Sequence, residues 1–208
     1  MSNNCQSDHC HSATPASNTS PRYRRILWIA LFLNAAMFFV EIIGSKNSGS
    51  NALFADAIDF FGDAVNYGIS LLVLTGTHMW RARTAWFKGL CMGIFGAFVI
   101  GRSVWLAYAG ATPEPWVMGW VGILALGVNV GVALLLYAYR DGDANMRSVW
   151  LCTRNDAIGN VAVIGAAIAV ALSASRWPDV LVSLGMGCLA LQSAWLVMRQ
   201  ARTEMNTI

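Results

Sequence analysis

Apolar residues fall in six long runs along this chain, near residues 26–44, 52–76, 89–109, 116–139, 148–172 and 180–198. Each is close to the roughly 20 residues that cross a bilayer as a helix. None alternates apolar and polar positions as a barrel strand does. The breaks between the runs are short, at 45–51, 77–88, 110–115, 140–147 and 173–179. This pattern predicts an all-α, polytopic membrane protein with six transmembrane helices.

Composition agrees with the pattern. Of 208 residues, 56% are hydrophobic and 12% charged, more apolar surface than one soluble core would hide. Residues 1–21 differ: they are polar, rich in Ser, Asn and Thr, and predict a disordered tail. Within that tail Cys5, Asp8, His9, Cys10 and His11 bring together soft and borderline ligands. Loose Zn²⁺ binding and a plain flexible tail are both compatible with so short a tract. The five cysteines are scattered and give no disulfide framework. No removable signal peptide is expected.

Charge placement sets the expected orientation. Ten basic residues flank one set of helix ends: Arg22, Arg24, Arg25, Arg81, Arg83, Lys88, Arg140, Arg147, Arg199 and Arg202. Only Lys46 and Arg176 flank the other set. The positive-inside rule therefore puts both termini in the cytoplasm, in a cell (inner) membrane protein with a six-helix domain at 22–199 and a short tail at 200–208. Trp80, Trp86, Trp116, Trp150 and Trp177 fall near helix ends, as interfacial aromatics do. The net charge of +3 includes no basic tract with interleaved aromatics, so nucleic acid is not an expected partner.

Two apolar runs carry acids. In the second, Asp56, Asp59, Asp63 and Asn66 are spaced three, four and three apart, which makes one polar stripe on a helix. A charged group at the bilayer centre costs about 2.5 to 3.5 kcal/mol on insertion scales, so such residues face a cavity or a partner. In the fifth run Cys152 and Asp156 are four apart, as Asp59 and Asp63 are. Counted from their helix ends, both pairs come near mid-membrane depth. Three carboxylates and a thiolate suit a tetrahedral Zn²⁺; the thiolate tilts the set toward softer ions such as Cd²⁺, while Mg²⁺ and Ca²⁺ want more oxygens. Asn155 replaces Cys152 in this set if the fifth helix is turned slightly. Asp56 lies nearer the outer mouth and is expected on the pathway, as is Asn160.

These residues resemble the cation diffusion facilitators. The stretch from Leu53 to Asp63, LFADAIDFFGD, is similar to that family's second-helix motif, and Asn155 to Asn160, NDAIGN, to the region around its fifth-helix aspartate. Trp177 to Leu184, WPDVLVSL, resembles the entry to its sixth helix. The resemblance implies a homodimeric antiporter exporting Zn²⁺, with Cd²⁺ as a second substrate, against protons. It implies Asp59, Asp63 and Asp156 as ligands, with Cys152 standing where the family usually has His or Asp. By the same resemblance helices one, two, four and five surround the site, and three and six meet the second copy. Neither the His-rich loop between helices four and five nor the cytoplasmic C-terminal domain is seen, which predicts a short form.

Proton coupling also follows from ligand chemistry. Carboxylates and thiols lose protons to bind an ion, so metal and protons compete. The expected partners are thus divalent metal ions, protons, the lipid bilayer and a second copy of the chain, with no resident cofactor and no enzymatic activity. A membrane protein that binds metal without moving it is the alternative. Glu41 and Arg102 fall at similar depth and are expected to pair. Asn34, seven before Glu41, is expected to hold helices together, and Arg154 to snorkel or gate the inner entrance.

Overall fold

The computed structural model describes residues 21–73, 78–138 and 144–206; the side chains of some helical residues, Cys152, Arg154 and Asn155 among them, are not described. The tail cluster Cys5, His9, Cys10 and His11 lies outside the described residues. Six helices follow in order: α1 (Pro21–Ser48), α2 (Asn51–Val73), α3 (His78–Ala109), α4 (Pro115–Tyr137), α5 (Ala144–Ser173) and α6 (Trp177–Asn206). The chain is a multi-pass membrane protein. Five helices contain spans long and apolar enough to cross a membrane. The other, α2, is 23 residues long and carries Asp56, Asp59 and Asp63.

The helices extend beyond the apolar runs. α3 and α5 begin inside stretches expected as loops, and α6 runs on to Asn206. The exposed faces are apolar, with Phe32, Phe98, Trp105, Leu134 and Leu172 among the most open side chains. A bilayer covers such faces, and the polar groups turn inward.

α1, α2, α4 and α5 form one group, in which α1 packs on α2 and α4, and α4 on α5. The buried face of α1 shows how the sequence selects this packing: Leu27, Ala30, Asn34, Met37, Glu41 and Gly44 recur at spacings of three and four. Two apolar clusters close the group at different depths. Toward the expected inner side lie Tyr23, Leu27, Ala30, Tyr67, Leu71, Val132 and Leu136. Toward the outer side lie Ala52, Leu53, Met118, Val163, Ala166 and Ala167.

α3 and α6 form a close pair against this group. A Cβ at Gly96 would lie 3.2 Å from both the Ala190 methyl and the Gly187 carbonyl oxygen; one at Gly187 would lie 2.8 Å from Ile100. Small residues let membrane helices approach through their backbones. These faces of α3 and α6 are therefore occupied within the chain.

One expected pairing is overturned. Both carboxylate oxygens of Glu41 are buried without a hydrogen-bond donor, and Arg102 Nη1 is likewise unpartnered. The Arg102 guanidinium instead lies over the Phe54 ring, 4.8 Å from its centroid, with Asp179 as the acid that faces it. Equal depth did not mean a shared face: Glu41 is on the interior stripe of α1, whereas Arg102 belongs to the α3–α6 pair. Asn34 is buried as expected, but its amide donates to Ala30 O at 2.8 Å on its own helix.

Candidate metal-translocation site

The acidic helix α2 is positioned from its N-terminal end. After Gly49, whose φ of 71° lets the chain reverse, Ser50 caps the helix by accepting from the Leu53 N–H at 3.1 Å. Asp179 at the start of α6 completes the cap. Its carboxylate accepts from Ser50 Oγ at 2.5 Å, from the Asn51 N–H at 2.8 Å and from the Ala52 N–H at 3.0 Å. An anion there also complements the positive end of the helix dipole. A second hydroxyl and amide chain fixes α2 laterally: Asn51 donates to Ser103 Oγ at 2.6 Å, which meets Ser183 Oγ at 2.8 Å.

With α2 so held, its three aspartates fall at successive depths along one face. Asp56 is five residues from the helix start and Asp63 twelve, placing them roughly 8 and 18 Å along the axis. Asp156 on α5 comes opposite the deeper part of the stripe, where the acids facing it are Asp63 and Asp59. Asp156 Oδ2 is buried and accepts no hydrogen bond. Asp59, Asp63 and Asp156 are half-buried as residues. Of the four expected ligands, Asp156 thus faces the stripe that carries Asp59 and Asp63. The fourth, Cys152, is on α5 one turn before Asp156, and its side chain lies outside the described residues, as does that of Asn155. Among the described residues, no three His, Cys, Asp or Glu side chains close to the spacing of a finished metal site.

Asp56 is not at an open mouth. It is 1% exposed, and its Oδ2 accepts from Asn160 Nδ2 at 2.6 Å. Asn160 in turn accepts from Asn129 Nδ2 of α4 at 2.8 Å. Glu41 of α1 faces Asp56, and the two buried carboxyls are within hydrogen-bond reach of each other. Toward the C-terminal end of α2 from Asp63, and the N-terminal end of α5 from Asp156, a hydrogen bond ties the two helices: Tyr67 Oη lies 2.6 Å from Thr153 Oγ1, and both residues are buried. Tyr67 is four residues after Asp63, and Thr153 three before Asp156, so the bond is one turn deeper than the acids on both helices.

Sequence reasoning singled out Asp56, Asp59, Asp63, Asp156 and Asn160 but passed over Asn129, Tyr67 and Thr153. The available signal for Asn129 was a lone amide inside an otherwise apolar run. Tyr67 and Thr153 carried no such signal, since each is common as packing in membrane helices. Chemically, the carboxylates concentrate negative charge inside an apolar bundle, a setting that favours a bound cation or protons.

The profile of the cation efflux transmembrane domain matches residues 27–205 of this chain. The zinc transporter ZitB of Pectobacterium atrosepticum is 28% identical over 214 aligned residues, which cover 95% of this chain and 64% of that protein. The cadmium, cobalt and zinc/H(+)-K(+) antiporter of Bacillus subtilis is 26% identical, over 86% of this chain and 62% of its own length. The metal cation efflux system protein CzcD of Cupriavidus metallidurans is 22% identical, over 85% and 60% respectively. The chain therefore spans less than two thirds of each of these relatives.

Proposed function

The chain belongs to the cation efflux family, and on that premise we propose that it exports divalent transition-metal ions from the cytoplasm in exchange for protons, with Zn²⁺ as the main substrate and Cd²⁺ as a second. The observation that carries this reading is the buried, donor-free Asp156 Oδ2 facing Asp63 and Asp59 of the neighbouring helix. Carboxylates gathered inside an apolar bundle need either a cation or protons, and the two compete for the same oxygens. Asp59, Asp63 and Asp156 bind the ion, and Cys152 one turn along α5 supplies the soft ligand.

Export then requires that this set open first to one side and later to the other. The Tyr67–Thr153 bond closes α2 against α5 on the inner side, and the apolar cluster around Leu53, Met118 and Val163 closes the outer side. Ion entry from the cytoplasm parts the first; exit parts the second. Protons entering from outside displace the ion and return the empty carriers. Both termini face the cytoplasm in this reading, which the ten basic residues at the inner helix ends support. The protein works as a homodimer, and the relatives' names, zinc transporter and cadmium, cobalt and zinc antiporter, support the choice of ions.

Sealed proteoliposomes with an imposed pH gradient test this directly. Zn²⁺ and Cd²⁺ uptake that follows the gradient and disappears in Asp63→Ala supports antiport, and a changed Zn²⁺ to Cd²⁺ ratio in Cys152→His makes the thiol a ligand. Tight binding with no uptake under any gradient would replace the transporter reading with that of a metal-responsive binding protein.

A further inference from the structure

Glu41 and Asp56 lie in the outer half of the bundle, away from the Asp63–Asp156 contact. Glu41 is seven residues from the outer end of α1 and Asp56 five from the outer end of α2, which places both roughly 8 to 10 Å inside. Their exposures are 0% and 1%. The two carboxyls are within hydrogen-bond reach of each other, and among the described residues no N–H or hydroxyl donor reaches either oxygen of Glu41. The surrounding amides do not repair this. Asn160 gives one hydrogen bond to Asp56 Oδ2, and Asn129 uses its donor on Asn160, leaving Asn129 Oδ1 buried and unpartnered as well.

The polar inventory is therefore unbalanced in one direction. Buried polar atoms are almost always paired, and an orphaned acceptor is costly, more so when charged. Here three acceptor atoms, Glu41 Oε1, Glu41 Oε2 and Asn129 Oδ1, await a positive partner. One proton shared by the two acids would give a donor to a single oxygen. A cation with four to six oxygen ligands would engage both carboxylates and draw in neighbouring carbonyl or amide oxygens.

We propose that Glu41 and Asp56, oriented by the Asn160–Asn129 amide chain, form a second cation-binding station, built of oxygen ligands, that takes a divalent metal ion in the outer half of the bundle. Along the helices the two acids lie between the half-buried acids of α2 and α5 and the outer apolar cluster, so an ion leaving the first set outward meets this pair next. That placement on a path rests on the export reading; the binding itself does not. With all-oxygen ligands the station holds Zn²⁺ more loosely than a set containing a thiolate, as a transit position requires.

Equilibrium dialysis against Zn²⁺ of the purified full-length chain, with Cys5→Ser, His9→Ala, Cys10→Ser and His11→Ala made throughout so that the tail adds no ion, tests the proposal by counting ions. This parent chain is expected to bind two per chain, Glu41→Gln and Asp56→Asn one each, and Asp63→Asn one. The ion retained by Glu41→Gln shows that this variant is folded. Two ions retained by Glu41→Gln, or one by the parent chain with none in Asp63→Asn, would overturn the second station. So would an infrared band of a protonated carboxylic acid that persists in saturating Zn²⁺ and vanishes in Glu41→Gln, which would make the pair a proton site. Proteoliposome uptake read alongside separates the two claims: two bound ions without uptake would defeat export and leave the station standing.

Discussion

Asp156 is the residue on which the site turns, because it alone brings a carboxylate from α5 to the acidic stripe of α2. Replacing it with Asn keeps the shape and removes the charge, so zinc uptake in proteoliposomes should fall to the level of protein-free vesicles while the protein still elutes as a folded species. Asp179 does different work. It satisfies two backbone N–H groups and a hydroxyl at the start of α2, from a position 127 residues away in sequence for the nearest of these N–H groups. Asp179→Ala leaves those donors stranded and should destabilise the protein by about 2 kcal/mol. Asp179→Asn keeps one acceptor oxygen and should lose less; thermal unfolding in detergent would order the three proteins. Ala174, at the end of α5, has a φ of 48°, where a Cβ is strained. Ala174→Gly should therefore cost nothing or stabilise by up to about 1 kcal/mol in the same assay.

Helices here are joined by contacts of two kinds, and each predicts its own failure. The α2–α5 junction near the C-terminal end of α2 includes a hydroxyl pair, Tyr67 with Thr153. Tyr67→Phe removes a hydrogen bond worth about 1 kcal/mol. It should increase hydrogen exchange along the inner halves of α2 and α5, whereas Thr153→Ser, which retains a hydroxyl, should not. The α3–α6 junction depends on the absence of side chains. A leucine at Gly187 would begin with its Cβ 2.8 Å from Ile100 Cγ1 and 3.3 Å from the Gly96 carbonyl oxygen. Gly187→Leu should separate the pair and lower stability by about 1 to 3 kcal/mol, with thermal unfolding as the measure.

For the whole molecule the expectation concerns direction. If metal and protons compete for the same carboxylates, zinc affinity of the purified protein falls as pH is lowered, because protonated acids no longer bind the ion. A protonophore that collapses the imposed gradient should stop zinc uptake without reducing binding in detergent. The orientation is open to a separate check: a fluorescent reporter that matures only in the cytoplasm should be bright when fused after Ile208. A dark reporter would reverse the assignment drawn from the basic residues.

The six helices, their approximate limits and the acids of α2 and α5 were legible in the sequence, because a bilayer demands long apolar runs and makes every interruption conspicuous. The distances of Asp63 and Asp156 from their helix ends announced a similar depth for the same reason. Depth, however, is only one coordinate. Glu41 and Arg102 share it and do not meet, since rotation and neighbour choice are settled by packing: the glycines of α3 fit the small face of α6, and the stripe from Leu27 to Gly44 turns Glu41 toward Asp56. No spacing rule reports that Asp179 caps α2, that Tyr67 finds Thr153, or that Asn129 reaches Asn160. Those pairs join positions far apart in the chain, and only the assembled bundle brings their short polar side chains within hydrogen-bond reach.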